Sequence, residues 1–255
     1  MTSLYALTGF RNCVGFLTRI PVGMTREGMQ QAASYMPLFP IVGALIGFLA
    51  GASVWAMELL MPSYVAGMLG VGVILLVNGV QHMDGLLDFG DGLMCHGTRA
   101  QKLRAMRDTQ TGAGGLSLGM VILVTTALGI ASVHGTSIIQ TLVVSESVAK
   151  FSMVVEAWGS KSAHQGMNTV FVNAMHAKRG GAKVIIGLIE STFISALFLR
   201  EIGLLAVLVT ILGSLIIIAV AKSNFGGITG DVMGASNELI RLLSLLSIIG
   251  ASKWV

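Results

Sequence analysis

The sequence has few charged residues: Asp, Glu, Lys and Arg together make up 11% of 255 residues. Soluble globular proteins carry about 25% charged residues. A chain of this length with so few charges cannot build an ordinary water-facing surface, and its mean hydropathy of +0.81 points the same way. The composition excludes a typical soluble domain and predicts an integral membrane protein.

Cysteine is also scarce. Cys13 and Cys95 are far apart, and neither belongs to a CxxC pair. This excludes a disulfide framework and a cysteine zinc site, and it favours a reduced cytoplasmic setting. The N-terminus has no basic run before its first apolar stretch and no convincing cleavage site, so no signal peptide is predicted.

Long apolar runs are abundant. A helix needs about 20 apolar residues to cross the hydrocarbon core. The runs predict an all-α fold, a polytopic integral membrane helix bundle of about seven transmembrane helices that uses residues 1–255 as a single domain. The predicted spans are 37–59, 64–81, 115–133, 137–157, 183–199, 202–221 and 238–252.

Segment 3–18 differs from these runs. Its apolar residues Leu4, Leu7, Val14 and Leu17 recur near helical spacing and are interrupted by Arg11. This pattern is typical of a helix lying in the membrane interface, and we predict an N-terminal interfacial helix within residues 1–36.

Basic residues are distributed unevenly over the predicted loops. Twelve fall on or beside the loops of one side and two, Arg200 and Lys253, on the other. By the positive-inside rule, segments 1–36, 82–114, 158–182 and 222–237 are cytoplasmic. The sequence therefore predicts a multi-pass plasma-membrane protein with its active site on the cytoplasmic side. The net charge of +4 reflects topology, so nucleic acid is not a predicted partner. The twelve are Arg11, Arg19, Arg26, Arg99, Lys102, Arg104, Arg107, Lys161, Lys178, Arg179, Lys183 and Lys222.

The most informative segment is 82–114, which carries Asp84, Asp88 and Asp91 at spacings i, i+4 and i+7. On a helix these carboxylates share one face. Like charges gathered at the end of an apolar span favour a bound cation, and oxygen ligands suit Mg²⁺ or Mn²⁺. The alternative is that they cap a helix or face water. Glycines beside them, such as Gly85 and Gly90, are predicted to admit a bulky ligand close to the backbone.

Four basic residues follow within nine positions. Arg99 and Arg104 are interpreted as ordinary residues of a positively charged loop. Lys102 and Arg107 are predicted to bind phosphate, because a diphosphate needs fixed cations beside an acidic metal site.

A second polar segment, 222–238, joins two apolar runs and carries Asp231, Asn237 and Glu238. It is the second predicted active-site segment. For Asn237 and Glu238 the alternative is an N-cap and a first-turn acid. Elsewhere, Glu146 and Lys150 are spaced i, i+4 within a span and predict an intramembrane ion pair. His164 and His176 lie in a predicted cytoplasmic loop and show no partner pattern.

Five motifs together resemble the cobalamin synthase family, the adenosylcobinamide-GDP ribazoletransferases. They are FLTRIPV at 16–22, PLFPIVGALIG at 37–47, HMDGLLDFGDGL at 82–93, RDTQTGAGG at 107–115 and GGITGDVMGASNE at 226–238. The resemblance implies a membrane transferase that joins adenosylcobinamide-GDP to α-ribazole, or its 5′-phosphate, with release of GMP and a requirement for Mg²⁺.

The resemblance also implies roles for single residues. Asp84, Asp88, Asp91 and Asp108 match the family's aspartates, Arg19 matches its first motif, and Asp231, Asn237 and Glu238 match its second acidic motif. Lys150 stands where the family pattern has arginine. The resulting hypothesis assigns Mg²⁺ to Asp84, Asp88 and Asp91, phosphate to Arg19, Lys102 and Arg107, and the general base to Asp88 or Asp91.

Two other functions fit part of the pattern. A CDP-alcohol phosphotransferase of phospholipid synthesis would share the aspartate chemistry, but its motif expects an arginine that is missing after Gly85. An ion-coupled transporter would place its acids near the bilayer midplane. The sequence does not decide whether the chain forms a homo-oligomer.

Overall fold

A computed structural model describes residues 2–24 and 27–254, and within these ranges the chain is helical with no strand. Arg26 and the side chain of Leu4 lie outside the described part. The prediction of an all-α fold is confirmed. The helices are α1 (Thr2–Leu17), α2 (Gly28–Ser34), α3 (Phe39–Glu58), α4 (Ser63–Asn78), α5 (Gln81–Met94), α6 (Arg99–Ala105), α7 (Ala113–Ala131), α8 (Ser137–Gly159), α9 (Met167–His176), α10 (Gly180–Phe225) and α11 (Gly230–Ala251).

Five helices of the described chain are long and apolar enough to cross a membrane: α3 with the turn before it, α7, α8, α10 and α11. The pair α4 and α5 also qualifies, but it is bent by 99°. Each of the seven predicted spans coincides with one of these helices or with an arm of α10. The last span was predicted to begin too late, because α11 already starts at Gly230.

Helix α10 is two helical arms joined by a sharp reversal. Arg200 has φ 50° and ψ −128°, far from helical values. A Cβ on Gly203 would lie 2.0 Å from the carbonyl oxygen of Ser195, although a straight helix would separate these residues by about 12 Å. The chain therefore folds back on itself at Arg200, which explains why 183–199 and 202–221 look like separate spans.

Helix α8 forms the centre of the bundle. Its residues from Thr141 to Ala157 are buried on every side. Helix α3 packs directly on it: a Cβ on Gly43 would lie 2.3 Å from the oxygen of Glu146, and one on Gly47 would lie 2.1 Å from that of Leu142. Small residues at this spacing let two membrane helices approach closely.

The basic loops meet at one end of the bundle. The Arg99 side chain donates to the oxygen of Ser223 at 3.1 Å, and residue 162 forms a bridge with residue 228. The N-terminal helix joins the same end, since the amide of Arg19 donates to the oxygen of Val77 at 2.8 Å. The segments predicted to share one side of the membrane therefore share one face of the molecule.

Candidate active site

The chain bends sharply before the acidic cluster. Gly79 and Val80 both have positive φ, 73° and 65°, and α5 leaves α4 at 99°. Glycine adopts this conformation readily, whereas valine does so at a cost in strain. The bend carries α5 away from the direction of the α4 span and lays its aspartates across the end of the bundle.

Glycines on α5 allow two other helices to pack closely against it. A Cβ on Gly85 would lie 2.8 Å from the oxygen of Asp231 at the start of α11, and one on Gly90 would lie 2.9 Å from the Cα of Gly115 on α7. The prediction that these glycines admit a ligand to the backbone is wrong, because neighbouring helices occupy the space. Their physical role is to bring the first turns of α7 and α11 against the acidic helix.

Four carboxylates converge as a result, which we call the acidic cluster: Asp84, Asp88, Asp91 and Asp231. Burial, followed by the charges of Asp231, Asp84 and Asp91, raises the pKa of Asp88 to about 7. Within the described residues none of the four forms an ion pair. The cluster is a site of uncompensated negative charge, and Asp231 belongs to it although it is 140 residues away from Asp91 in the chain.

Asp91 has a structural task of its own. One of its oxygens accepts the amide of Gly112 at 2.7 Å and the other accepts that of Gly115 at 2.8 Å. These amides begin α7, where the helix has no internal acceptors for them. The capping interpretation therefore applies to Asp91, acting on a neighbouring helix. The carboxylates of Asp84 and Asp88 accept no hydrogen bond within the described chain.

The acidic cluster fits a divalent ion in charge and donor type but is not a closed cage. In the described part of the chain, no three His, Cys, Asp or Glu side chains are gathered tightly enough to form a ready metal site. Mg²⁺ seldom uses such cages in proteins. It usually binds one or two carboxylates together with substrate phosphates and water. The residues present are compatible with that mode.

A cavity of about 670 Å³ opens beside the cluster, which we call the basic cavity. Arg104, Arg107 and His164 line it together with Asp108 and Thr109. Arg107 and His164 also lie within electrostatic range of Asp231, so the cavity borders the carboxylates. Two cations and an imidazole next to four acids form a setting for a metal-bound phosphate group.

Two residues of this cavity were not predicted. Arg104 was interpreted as an ordinary loop residue and His164 as lacking a partner pattern. Lys102, the predicted phosphate ligand, instead donates to the Asn224 side chain at 2.8 Å and ties α6 to the end of α10. Arg107 lies in the turn after α6, where its amide donates to the oxygen of Arg104 at 3.1 Å. The i, i+3 spacing of the two arginines was the available signal.

A second cavity, of about 270 Å³, lies on α5 and α11; we call it the aromatic cavity. Asp84 and Asp231 line it together with Phe16, Phe171 and several methionines. Arg19 lies elsewhere. It packs over Gly79 and lines a cavity of about 240 Å³ formed mainly by residues 15–24. The structure thus separates Arg19 from the other predicted phosphate ligands.

Asn237 and Glu238 lie outside all of these cavities. The N-cap of α11 is Thr229, so neither residue caps the helix and that alternative is wrong. Both are buried in a polar cluster between α8 and α11, which we call the ionic network, with Glu146, Lys150 and Arg241. Lys150 donates to Asn237 at 2.7 Å, and Arg241 binds both Glu146 and Glu238. The predicted pair of Glu146 and Lys150 is confirmed, at 3.5 Å.

Similarity to known proteins extends over nearly the whole chain. The family model for cobalamin-5-phosphate synthase matches residues 9–249. A protein of Methanocella arvoryzae named adenosylcobinamide-GDP ribazoletransferase is 34% identical over 98% of this chain and 97% of its own. A relative of the same name from Geotalea daltonii is 31% identical over 92% of this chain and 94% of its own. No solved structure matches. The chain belongs to the cobalamin-5-phosphate synthase family.

Proposed function

We propose that this protein joins adenosylcobinamide-GDP to α-ribazole, or to its 5′-phosphate, and releases GMP. It is a membrane transferase of cobamide nucleotide-loop assembly. The observation that carries the proposal is the acidic cluster, four carboxylates that form no ion pair among the described residues and adjoin both a basic and an aromatic cavity. Transfer of a substituted phosphate group needs cations on the phosphates and an acceptor on the opposite side of the phosphorus.

The reaction can be written with all atoms accounted for. The oxygen of the ribose 3′-hydroxyl forms a bond to the β-phosphorus, and the bond from that phosphorus to the bridging oxygen breaks. The electron pair leaves with GMP, and the hydroxyl proton passes to a carboxylate. Arg104, Arg107 and His164 would hold the phosphate oxygens through charge-assisted hydrogen bonds.

The metal ligands that we propose are Asp84, Asp88 and Asp231, with Asp91 as a further member of the cluster. When bound there, Mg²⁺ would supply charge neutralisation at the diphosphate and at the departing GMP. Asp231 enters this set because α11 presents it beside Asp84 and Asp88. Asp108, on the rim of the basic cavity, would contact the nucleotide end of the donor.

For the general base, the geometry favours Asp88 over Asp91. Both oxygens of Asp91 are engaged by backbone amides of α7. Asp88 has no such partners and sits between Asp84 and Asp91 on α5. A base must reach the hydroxyl that it deprotonates. Neither oxygen of Asp88 is held by a backbone amide of α7, so one oxygen could hold the ion while the other accepts the proton.

The orientation follows from charge. The end of the bundle that carries the acidic cluster also gathers the basic loops, and we assign it to the cytoplasmic side of the plasma membrane. The family match gives no support to a phospholipid-forming CDP-alcohol phosphotransferase. The acids also lie at a bundle end and not at its middle, which does not favour a transporter.

The test is GMP release by detergent-purified protein supplied with Mg²⁺, adenosylcobinamide-GDP and α-ribazole. Asp84→Asn and Asp88→Asn should each lower turnover about 100-fold or more, because a charge that stabilises the transition state is lost. Glu58→Gln, at the opposite end of the bundle, is the control and should keep wild-type turnover. Near-normal turnover of both aspartate variants would contradict the mechanism.

A further inference from the structure

Five apolar side chains form one wall of the aromatic cavity. The rings of Phe16 and Phe171 have centroids 4.5 Å apart and are tilted by 36°. Met153, Met167 and Met233 complete the apolar wall. Aromatic rings offer a stacking surface, and thioethers pack favourably at the edges of other rings. Such a wall suits a flat apolar heterocycle.

The amides in the wall have their donors engaged elsewhere. Gln81 donates to the backbone oxygen of Phe16 at 3.1 Å. Asn168 donates to Ser162 at 2.9 Å and to the backbone oxygen of Ile228 at 3.0 Å. Asn168 thus uses both of its N–H groups, and Gln81 uses one of its two. The amides leave few donors for a ligand that presents hydrogen-bond acceptors, and an unpaired acceptor costs binding energy.

Three polar groups remain available to a ligand. Asp84 and Asp231 border the cavity, and the buried Nδ1 atom of His82 has no hydrogen-bond partner. No lysine or arginine is found among the described residues that line it. The lining therefore provides no fixed cation for a phosphate, whereas its two carboxylates can accept a hydrogen bond from a hydroxyl group. The cavity therefore matches a neutral base with a sugar hydroxyl at its acidic edge.

The size and position of the cavity point to the same ligand. At about 270 Å³ it is slightly smaller than the 300–1,000 Å³ that is usual for drug-sized ligands. It is too small for a corrinoid macrocycle. Asp231 lines this cavity and also lies within electrostatic range of Arg107 and His164 in the basic cavity, so both cavities adjoin the same carboxylate.

We propose that the aromatic cavity binds the base of α-ribazole against the wall that Phe16 and Phe171 form, with the ribose hydroxyl directed to the acidic edge at Asp84 and Asp231, beside Asp88. This assignment rests on the proposed function. It makes Phe16, Phe171 and the methionines of the wall the residues that select the acceptor, while the basic cavity selects the donor.

The experiment measures KM for each substrate separately in the Phe171→Leu variant. KM for α-ribazole should rise about 10-fold, which is within the usual effect of removing an aromatic ring from a stacked base. KM for adenosylcobinamide-GDP should stay within about twofold, and kcat at saturating acceptor should change little. Phe193→Leu, on the exposed face of α10, is the matched control and should alter neither constant.

Phe171 also packs against Phe39 in the core, so a second variant guards against a folding defect. Met167 is 64% exposed and lines the cavity, and Met167→Ala should raise KM for α-ribazole without lowering the melting temperature. A rise confined to KM for adenosylcobinamide-GDP would assign the cavity to guanine and overturn the proposal. Unchanged constants in both variants would overturn it as well.

Failure of the proposed function would look different. The wild-type protein would then release no GMP from any pair of substrates. Equilibrium binding of α-ribazole to the wild-type protein and to Phe171→Leu would still test the cavity. Weaker binding by the variant supports the assignment, and equal or absent binding overturns it.

Discussion

Two charged regions of this molecule share one helix, α11, but differ in the balance of their positive and negative charges. The ionic network contains two acids, Glu146 and Glu238, and two bases, Lys150 and Arg241, all buried and bonded to one another. The acidic cluster contains four aspartates and no ion pair within the described chain. Helix α11 contributes to both, with Asp231 in its first turn and Glu238 two turns later.

The difference separates structural from functional charge. Charges buried in a membrane protein persist when they are paired, and the ionic network meets that condition with its own side chains. The acidic cluster does not, and its like charges disfavour the apo state. That imbalance is what a metal–diphosphate ligand can relieve. Charge balance is therefore a better guide to the site than charge density.

The largest effect is expected from breaking the balance of the ionic network. Glu146→Gln would leave a buried positive charge, on Arg241 or Lys150, without its counter-ion. Loss of one partner of a buried pair costs about 3–5 kcal/mol, and we expect the free energy of unfolding in detergent to fall by that amount. Thermal or denaturant unfolding measures it.

The matched control is Glu58→Gln, which removes a carboxylate paired with the exposed His134. This change should cost about 0–1 kcal/mol. The double variant Glu146→Gln/Lys150→Met removes one charge of each sign and should recover part of the loss. Equal stability of wild type and Glu146→Gln would contradict a structural role for the network.

The second prediction concerns the effect of Mg²⁺ on the stability of the acidic cluster. Mg²⁺ should raise the melting temperature of the wild-type protein, and a ligand at 100 times its Kd stabilises by about 2.7 kcal/mol. Asp88→Asn should be as stable as wild type without the ion, or more stable, because it relieves repulsion from Asp84, Asp91 and Asp231. It should then gain much less from Mg²⁺.

The readout is a Mg²⁺ titration of thermal unfolding without substrate, so it does not depend on turnover. Glu146→Gln serves as control, since its melting temperature is lower but its gain from Mg²⁺ should equal that of wild type. An identical gain in wild type and Asp88→Asn would place the ion elsewhere.

The smallest effect is expected at Asp91, the one residue of the cluster with a structural bond. Asp91→Asn keeps one acceptor oxygen for the start of α7 and should cost about 1 kcal/mol, as loss of a helix cap does. Turnover should fall less than in Asp88→Asn. Asp108→Asn, whose oxygen accepts the amide of Gln110 in an exposed loop, is the stability control. A larger loss of turnover in Asp91→Asn than in Asp88→Asn would reverse the assignment of the base.

Much of this arrangement was accessible from the sequence. The apolar runs located the membrane helices, and the i, i+4, i+7 spacing placed Asp84, Asp88 and Asp91 on a single helix, α5. These are local signals, because a helix imposes its period on neighbouring residues. The ion pair of Glu146 and Lys150 was predictable for the same reason.

Sequence spacing failed where partners come from different helices. Asn237 and Glu238 were predicted to bind substrate, but they turn towards α8, because the face of α11 that carries them packs on the centre of the bundle. Lys102, predicted to bind phosphate, contacts Asn224, whereas Arg104, interpreted as an ordinary loop residue, lines the basic cavity. The docking of α6 on the end of α10 decides which side chain faces which neighbour.

The sequence by itself determined that this is a helical membrane protein with basic loops on one side. It also placed an aspartate-bearing helix, α5, at the end of a membrane span. Hydropathy, charge count and helical period are properties of short stretches of chain. Tertiary structure alone decided that the chain bends at Gly79 and Val80 and that Asp231 joins the acidic cluster. It also decided that α7 and α11 pack against the glycines of α5. These outcomes depend on the backbone approach of α5 to α7 and α11, and no short stretch of sequence contains that geometry.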